Sequence, residues 1–367
     1  MSATGPTQGT RLQAEGTSQD DFGRGMASHG THAFTGLRGV LERNVSLARC
    51  TSWRAGGPAE ILFRPADRDD LAAFVRQLPA GVPLHVMGLG SNTLVRDGGV
   101  RGAVVVMHDP GAVLAVADGL VYAEAGVASP KVARLAARLG CEGAEFLAGV
   151  PGTIGGAVAM NAGCYGGETW NHVVRVEVLT RDGRFEVRTP SDYAIGYRSV
   201  RHADGSPPDG IFTAVWMSFP PGDATKARAR IKDLLSKRIA SQPLSLPNAG
   251  SVFRNPEGDH AARLIEAAGL KGHAIGGARV SEMHANFIVN PGARASAADI
   301  EALIAHVRAT VHARFGVDLE PGAAEAPPAL RHPRDDPDAD PLQHGGRHGD
   351  EHERQRRCRP VLERNPL

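Results

Sequence analysis

The stretch HVMGLGSNTLV, residues 85–95, places a Gly-x-Gly directly after an apolar run that is typical of a buried strand. A dinucleotide-binding Rossmann unit would need a third glycine that opens a helix and an acidic residue about 20 positions further on. This sequence has neither, because residues 93–95 continue as a strand and the chain then turns at residues 97–99. The stretch therefore predicts a strand–loop–strand unit, with an ordinary tight turn as the alternative.

The loop between these two strands carries residue types that bind anions. Glycines allow successive backbone N–H groups to converge on one point, and short polar side chains add hydroxyl and amide donors. A diphosphate is the natural ligand, and the absence of a Gly-Lys-Ser/Thr gives no support for nucleotide hydrolysis of the Walker type. The predicted contacts are Gly88, Gly90, Ser91, Asn92 and Thr93.

A second glycine-rich run, GVPGTIGGAVAMNAG, occupies residues 149–163. It lies within residues 146–167, an uncharged segment long enough to raise the question of a transmembrane helix. Its glycines, Pro151 and Asn161 indicate turns instead, so we expect a buried loop. Such a loop can run beside a large flat ligand, although a tightly packed structural turn is the alternative. The predicted contacts with an extended, diphosphate-containing cofactor are Gly152, Thr153, Gly155 and Gly156.

The composition narrows the class of protein. Lys and Arg number 41 against 40 Asp and Glu, which gives a formal net charge of +1 and no support for nucleic acid or an acidic membrane as partner. Four scattered cysteines without a CxxC are better explained as free thiols in a reducing cytosol than as a metal site or a catalytic thiol. The first 26 residues lack an apolar core segment, so we expect no signal peptide and a cytoplasmic protein.

The succession of predicted elements indicates an α+β protein with a strand-rich first half and a smaller second half that contains helices. Residues 1–40 are polar and aperiodic, as in a disordered extension. Residues 41–222 hold both glycine-rich runs, and PPGD at 220–223 marks a boundary to a second unit at 223–321. Residues 322–367 contain no Phe, Trp or Tyr and are predicted to be a tail without a core.

Seven segments in register resemble the family of UDP-N-acetylenolpyruvoylglucosamine reductases over roughly 45–321. They are TSWRAGGPAE (51–60), GLGSNTLVRDGG (88–99), EFLAGVPGTIGGAVAMNAGCYGGE (145–168), YRSV (197–200), LPNAGSVFRNP (246–256), AARLIEAAGLKG (261–272) and VSEMHANFIVN (280–290). The resemblance implies an FAD-binding domain of the vanillyl-alcohol-oxidase (PCMH) type, followed by a smaller α+β substrate-binding domain. The short spacing between YRSV and GSVFRNP is similar to the family branch that lacks an extra tyrosine-bearing loop.

The resemblance also implies the chemistry, which is reduction of UDP-N-acetylglucosamine enolpyruvate to UDP-N-acetylmuramate for peptidoglycan. NADPH would reduce FAD, and the reduced flavin would deliver hydride to the vinyl carbon of the substrate. Charge that develops on the substrate carboxylate needs a fixed cation, and the adjacent carbon needs a proton donor. Arg198 matches the family's catalytic arginine, which stays charged and can fork onto both carboxylate oxygens, and Ser251 matches its proton donor.

The family match supplies further candidates for the nucleotide-sugar pocket. Arg254 stands where the family more usually has lysine, and is expected to contact a substrate phosphate. Structural roles are the alternative for Asn255, Arg238, His284 and Asn286. No separate Rossmann module is visible, so NADPH is expected to react at the substrate site. The predicted substrate contacts are Tyr197, Arg238, Arg254, Asn255, His284 and Asn286.

The sequence departs from the family pattern near its C-terminus. The family's third catalytic residue is a glutamate in a Leu-Glu-Pro-Glu segment, whereas this chain reads LEPGA at 319–323. Gly322 therefore stands at the catalytic position, and Glu325 comes three residues late. We hypothesise a reading-frame change in the gene at this point. Two rival interpretations follow: a flavoprotein oxidase on the same scaffold, and a non-catalytic binder of flavin or nucleotide sugar.

Overall fold

The computed structural model describes residues 33–322 and 324–325. The tail beyond residue 325 and the extension at 1–32 lie outside these described residues. Residues 33–39 fall within the extension predicted for 1–40, yet they pack on the fold. The ring of Phe34 stacks on Phe74 with centroids 4.9 Å apart, and the N–H of Gly39 donates to the Asp70 carboxylate at 2.8 Å. Their apolar and hydrogen-bonding contacts place them with the folded part of the chain.

The described residues form a mixture of strands and helices, as the α+β prediction requires. The strands are β1 (Val40–Ser46), β2 (Pro58–Arg64), β3 (Leu84–Met87), β4 (Thr93–Leu94), β5 (Val100–Val106), β6 (Leu114–Ala117), β7 (Leu120–Glu124), β8 (Gly163–Cys164), β9 (Gly167–Glu168), β10 (Val173–Thr180), β11 (Phe185–Arg188), β12 (Tyr193–Gly196), β13 (Ser199–His202), β14 (Gly210–Met217), β15 (Ala274–Ile275), β16 (Ala278–Val280), β17 (Ile288–Val289) and β18 (Ala324–Glu325). The α-helices are α1 (Arg68–Gln77), α2 (Ser129–Arg138), α3 (Ile154–Ala159), α4 (Ala224–Ser241), α5 (Ala261–Ala267) and α6 (Ala297–Phe315). Short 3-10 helices span Leu47–Arg49, Glu145–Gly149, Thr169–His172, Pro190–Asp192 and Pro291–Ala293.

The first half of the chain builds two sheets. One has the order β1-β2-β5-β3, in which β2, β5 and β3 are parallel and β1 is an antiparallel edge strand. The other is antiparallel with the order β11-β10-β14-β7-β6. The carboxyl end of β3 at Met87 leads directly into residues 88–93, as the strand–loop–strand prediction for residues 85–95 requires. This sheet therefore positions the predicted anion-binding loop.

The second glycine-rich run contains a short helix, so the prediction that it forms only a loop is wrong. Residues 154–159 form α3, and Oγ1 of Thr153 caps this helix by accepting a hydrogen bond from the Gly156 N–H at 3.4 Å. Gly155 lets α3 lie against the end of β7, since a Cβ there would stand 2.6 Å from the Cβ of Ala125. This close packing offsets the low helix propensity of glycine. The glycines in the sequence indicated turns and therefore did not predict the short buried helix.

The second half of the chain folds around α6. The buried stripe of this helix consists of Ile300, Leu303, Val307 and Val311. With α5 and the sheet β15-β16-β17, α6 forms a core that also includes Trp53 and Leu94 from the first half. Within the described residues no helix is long and apolar enough to cross a membrane.

Helix α4 follows the predicted boundary at 220–223 but packs on the first half. Ala227 and Ile231 of α4 join the core formed around α2 and the Glu145–Gly149 3-10 helix. The division after residue 222 stays a prediction. Because α4 packs on the core of the first half, the residues that build the core of the second half come after this helix.

An aspartate of the 97–99 turn caps the helix that centres the second half. Asp97 accepts hydrogen bonds from the Ala297 N–H at Oδ1 and from the Ala298 N–H at Oδ2, both at 2.9 Å. Asp223, which caps α4, accepts both of its bonds at Oδ1 alone. The two caps therefore differ in how many oxygens they use.

Asp97→Asn should lower the free energy of unfolding by about 1 kcal/mol, because an amide keeps only one acceptor for two helix N–H groups. Asp223→Asn is the matched control. It loses the same charge but keeps its acceptor, so we expect a loss of only roughly a few tenths of a kcal/mol. Urea unfolding followed by circular dichroism measures both. Equal losses for the two variants would contradict the two-oxygen cap.

Candidate active site

A cleft of about 320 Å³ opens where the two glycine-rich runs face the second half of the chain. One side is backbone from residues 88–93 and 149–163, and the other includes residues 249–251 and Phe287. Gly155 lines an adjoining cavity of about 170 Å³, which shares Gly88 and Thr153 with the cleft. The predicted site residues that line the cleft itself are Gly88, Gly90, Ser91, Asn92, Thr93, Gly152, Thr153, Gly156, Arg198, Arg238 and Ser251.

The glycines of the 88–93 loop are required by close packing. A Cβ at residue 88 would lie 2.4 Å from Oγ1 of Thr153, and one at residue 90 would lie 2.1 Å from the carbonyl oxygen of Cys50. Gly90 also has a φ of 60°, in the left-handed region that favours glycine. Within the described part of the chain, the backbone N–H groups of residues 88–91 donate to no protein acceptor. Neighbouring unpaired N–H groups on a cleft wall fit a diphosphate.

Two side chains hold this loop in place. The hydroxyl of Ser91 donates to the Pro151 carbonyl at 2.9 Å, which ties the loop to the second glycine-rich run. The amide Nδ2 of Asn92 donates to the Gly322 carbonyl at 3.3 Å, which ties the loop to the C-terminal segment. The loop is therefore anchored on both sides before any ligand binds.

Arg198 reaches the cleft from the tip of the β12–β13 hairpin. The hairpin pairs Gly196 with Ser199, so Tyr197 and Arg198 form a two-residue turn. Arg198 has a φ of 54°, and such a conformation costs a non-glycine residue roughly 1–3 kcal/mol. Strain of this kind persists where surrounding contacts impose it, which is common at functional sites. Tyr197 is 58% exposed and does not line the cleft.

Arg238 enters the cleft from the last turns of α4. Its Nε donates to Oε1 of Gln242 at 3.0 Å. Burial lowers the pKa of the Arg238 guanidinium from its ordinary value, although Tyr165 and Cys164 oppose the shift. Among the described residues, neither Arg238 nor Arg198 is ion-paired with a carboxylate. Two unpaired guanidinium groups make this end of the cleft a site for an anion.

A cysteine lies beside these arginines. Burial raises the pKa of the Cys164 thiol to about 11, although Arg238 and Arg198 act in the opposite direction. The thiol donates a hydrogen bond to the Phe146 carbonyl at 3.1 Å. At neutral pH the group is a protonated thiol, so it supplies no nucleophile to the cleft.

Ser251 stands on the wall opposite the glycine-rich runs, and its side chain is exposed. The segment that follows it pairs with the C-terminal stretch. The Gly322 N–H donates to the Val252 carbonyl at 2.7 Å, and the Arg254 N–H donates to the Glu320 carbonyl at 2.8 Å. Residue 322 therefore lies close to Ser251. A Cβ built on Gly322 would meet nothing closer than 3.6 Å, where the carbonyl oxygens of Ser251 and Val252 lie.

Two predicted substrate contacts hold this segment from behind instead of lining the cleft. Asn286 is buried, and its amide accepts from the Phe253 N–H and donates to the Phe253 carbonyl, both at 2.9 Å. Nδ1 of His284 accepts from the Asn286 N–H at 3.2 Å, and burial lowers the pKa of the His284 ring. These bonds fix the backbone after Ser251. Substrate contact by either side chain stays a prediction.

Asn255 and Arg254 also lie outside the lining of the cleft. Oδ1 of Asn255 accepts from the Ala261 N–H at 3.2 Å and so holds the start of α5. Nε of Arg254 is buried and has no hydrogen-bond partner among the described residues. A phosphate contact for Arg254 likewise stays a prediction.

One residue that was predicted only to form a turn supports the site. Asn161 is 2% exposed, and its Nδ2 donates to the Gly196 carbonyl at 3.1 Å and to Oε2 of Glu168 at 3.0 Å. Gly196 immediately precedes the turn that carries Arg198. The sequence did hold a signal for this role, which is the single amide side chain of Asn161 in an uncharged segment. An amide that is buried in such a segment needs hydrogen-bond partners, and these lie on neighbouring elements.

Two family models match the chain. One is described as an FAD binding domain and matches residues 59–187. The other is described as the UDP-N-acetylenolpyruvoylglucosamine reductase, C-terminal domain, and matches residues 242–323. The first contains both glycine-rich runs, and the second contains Ser251.

Curated relatives and a solved structure agree with these models. The UDP-N-acetylenolpyruvoylglucosamine reductase of Thiobacillus denitrificans is 54% identical over 297 residues, which cover 77% of this chain and 91% of the relative. That of Nitrosospira multiformis is 54% identical over 308 residues, which cover 78% and 88%. The chain belongs to the UDP-N-acetylenolpyruvoylglucosamine reductase family. A crystal structure of UDP-N-acetylenolpyruvylglucosamine reductase from Thermus caldophilus matches with a TM-score of 0.65 and 33% identity, covering 79% of this chain and 99% of that one.

Membership of the UDP-N-acetylenolpyruvoylglucosamine reductase family confirms several predictions. The chain is an oxidoreductase of α+β fold with an FAD-binding domain, and FAD is its cofactor. The family works in peptidoglycan precursor synthesis with NADPH as reductant. The residues fit FAD, because the unpaired N–H groups of residues 88–91 would hold its diphosphate and the uncharged 149–163 backbone would lie beside it.

Gly88→Ala should weaken FAD binding by about five- to 150-fold. The added methyl collides with Thr153, and an overpacking cost of about 1–3 kcal/mol converts to that range. Titration of the apoprotein with FAD, followed by quenching of flavin fluorescence, measures the dissociation constant.

The control is Gly98→Ala in the neighbouring turn, where an added Cβ would meet nothing within 4 Å. It should leave FAD affinity unchanged. Equal affinity for the two variants would show that the approach of Gly88 to Thr153 does not shape the cofactor site.

Proposed function

We propose that this chain carries out the FAD-dependent, NADPH-using reduction of UDP-N-acetylglucosamine enolpyruvate to UDP-N-acetylmuramate in the cytoplasm. The observation that carries the proposal is the convergence of Arg198, Arg238 and Ser251 on the cleft lined by the two glycine-rich runs. Bound FAD supplies hydride-transfer chemistry. The protein supplies a cation, a hydroxyl and a second anion-binding group around the substrate.

Arg198 holds the carboxylate of the enolpyruvyl group. Its guanidinium is permanently charged and unpaired by any carboxylate of the described residues, so the developing enolate charge is stabilised without breaking an existing ion pair. The side chain extends into the cleft from the left-handed turn at the tip of the β12–β13 hairpin. This interaction is stronger in the transition state than in the ground state, because negative charge on the carboxylate increases during the reaction.

Ser251 gives its hydroxyl proton to the carbon next to the carboxylate. A serine hydroxyl is a poor acid in water, but this carbon is strongly basic as an enolate and the donor is held beside it. The exposure of Ser251 allows solvent to return the proton. Gly322 supplies no carboxyl group to assist, so we expect this step to be slower than with a glutamate at the same position.

Arg238 suits the phosphate-bearing part of the substrate. Its guanidinium is partly desolvated, and within the described residues the only hydrogen bond of this group is to the neutral amide of Gln242, so its charge is available to a ligand. A nucleotide sugar carries the matching anion. The net charge of +1 gives no reason to invoke nucleic acid or a membrane surface as a partner.

Anaerobic mixing tests the proposal. NADPH should bleach the flavin absorbance of the purified holoprotein, and the enolpyruvyl substrate should then restore it. Bleaching without recovery would favour the non-catalytic binder. Recovery only on admitting oxygen, with an alcohol or sugar as the reductant in place of NADPH, would favour an oxidase.

Ser251→Ala should slow substrate-dependent recovery of flavin absorbance by about 10³-fold, because the proton donor is lost. Bleaching by NADPH should keep its rate, since that step needs no proton from Ser251. Stopped-flow absorbance resolves the two half-reactions. Ser236→Ala, on the exposed face of α4, is the matched control and should leave both rates unchanged. Slowing of both half-reactions by Ser251→Ala would overturn the assigned role.

Gly322→Glu should raise kcat by about tenfold or more, because it places a carboxyl group near Ser251. The site can take the side chain, since the nearest atoms to an added Cβ are 3.6 Å away. Steady-state oxidation of NADPH measures the change. Gly322→Ala separates the effect of the carboxyl group from that of the backbone, and should not raise kcat. A gain shared by both variants would contradict a role for the carboxyl group.

A further inference from the structure

The hairpin that carries Arg198 is anchored mainly at its base. There, Tyr193 packs on Trp170 with ring centroids 5.1 Å apart and stacks on His202 at 5.6 Å. The tip is different. Tyr197 is exposed, and a Cβ built on Gly196 would meet nothing within 4 Å. Side-chain packing therefore does little to fix the turn from which the guanidinium of Arg198 extends.

Asn161 provides the missing support at the tip. It lies just after α3 and is buried, and its Nδ2 donates to the Gly196 carbonyl at 3.1 Å. Two further bonds set the direction of its amide. Nδ2 also donates to Oε2 of Glu168 at 3.0 Å, and Oδ1 accepts from the Trp170 N–H at 3.1 Å. The N–H of Trp170 requires the amide oxygen on its side, so Nδ2 must point towards Gly196.

No other short side chain can replace this amide. It donates to two oxygens and accepts from one N–H at the same time, which a carboxylate or a hydroxyl cannot do. The backbone of Asn161 has a φ of 42°, in the left-handed region that asparagine tolerates better than most residues. Both the conformation and the hydrogen bonds therefore select asparagine here.

We propose that Asn161 is a positioning residue for the reaction, which acts through Arg198 by fixing the Gly196 carbonyl. This inference rests on the proposed function, since it assumes that Arg198 binds the substrate carboxylate. A shift of about 1 Å in a catalytic group can cost about 10²-fold in rate. Without the Asn161 bond, the turn keeps its Gly196–Ser199 pairing but loses its tie to the segment after α3, so the tip shifts and Arg198 loses its alignment.

A double-mutant cycle with Arg198 tests the inference. Asn161→Ser should lower kcat by about tenfold or more when Arg198 is present. In the Arg198→Ala background the same substitution should lower kcat by less than about twofold, because residues that act through one group are not additive. Equal losses in both backgrounds would overturn the inference. KM for NADPH should stay unchanged in the Asn161→Ser variant.

A binding measurement makes the cycle independent of turnover. Titration of the holoprotein with UDP-N-acetylmuramate, followed by the change in flavin absorbance, gives the dissociation constant of the product. Asn161→Ser should raise it by about tenfold with Arg198 present and by less than about twofold without it. A non-additive binding cycle in a protein without turnover would sustain the inference while the proposed function fails. An additive cycle in an active enzyme would overturn the inference while the proposed function stands.

Two further variants keep the result interpretable. Glu168→Gln retains an oxygen that accepts from Asn161, so it should change kcat by less than about twofold. If Asn161→Ser does not retain flavin, Asn161→Asp takes its place in the cycle. It has the same shape and loses both N–H donors. Full activity of Asn161→Asp with normal flavin content would count against the inference.

Discussion

The indole of Trp53 and the amide of Asn290 join the two halves of the molecule. Nε1 of Trp53 donates to the Ile288 carbonyl at 2.8 Å, and Nδ2 of Asn290 donates to the Trp53 carbonyl at 2.8 Å. Both side chains are almost fully buried, so a lost partner would leave a polar group unsatisfied at a cost of about 1–3 kcal/mol. These buried bonds hold the two halves together, and the cleft between the 88–93 loop and Ser251 lies where the halves meet.

Local patterns in the sequence were enough to place some elements of the first half. The apolar run before Gly88 predicted β3, and the turn predicted at residues 97–99 lies between β4 and β5. The glycine-rich run misled because its helix α3 depends on packing against the end of β7, which no local pattern reveals. The sequence also did not show which core α4 packs against. The apolar residues of α4 indicate which of its side chains are buried, but not which elements cover them.

How much of a residue's place in the site could be predicted from the sequence differed from residue to residue. Arg198 and Ser251 came from the family resemblance, and the structure brings both to one cleft. Asn286 was chosen by the same route, yet its amide is occupied by the Phe253 backbone 33 residues away. Asn161 was missed as a site residue because its partner at residue 196 lies 35 residues further along the chain. Hydrogen bonds between distant segments are fixed by the tertiary fold, so residue type alone does not reveal them.

The bond from the Asn92 side chain to the Gly322 carbonyl joins the 88–93 loop to the C-terminal segment that pairs with residues 252–254. Any coupling that this bond provides is reciprocal, so a ligand that favours the ordered loop favours the docked C-terminal segment to the same extent that the segment favours the ligand. The contact uses a main-chain oxygen, which every residue type supplies. Evolution can therefore change the side chain at position 322 without breaking this link between the two walls of the cleft.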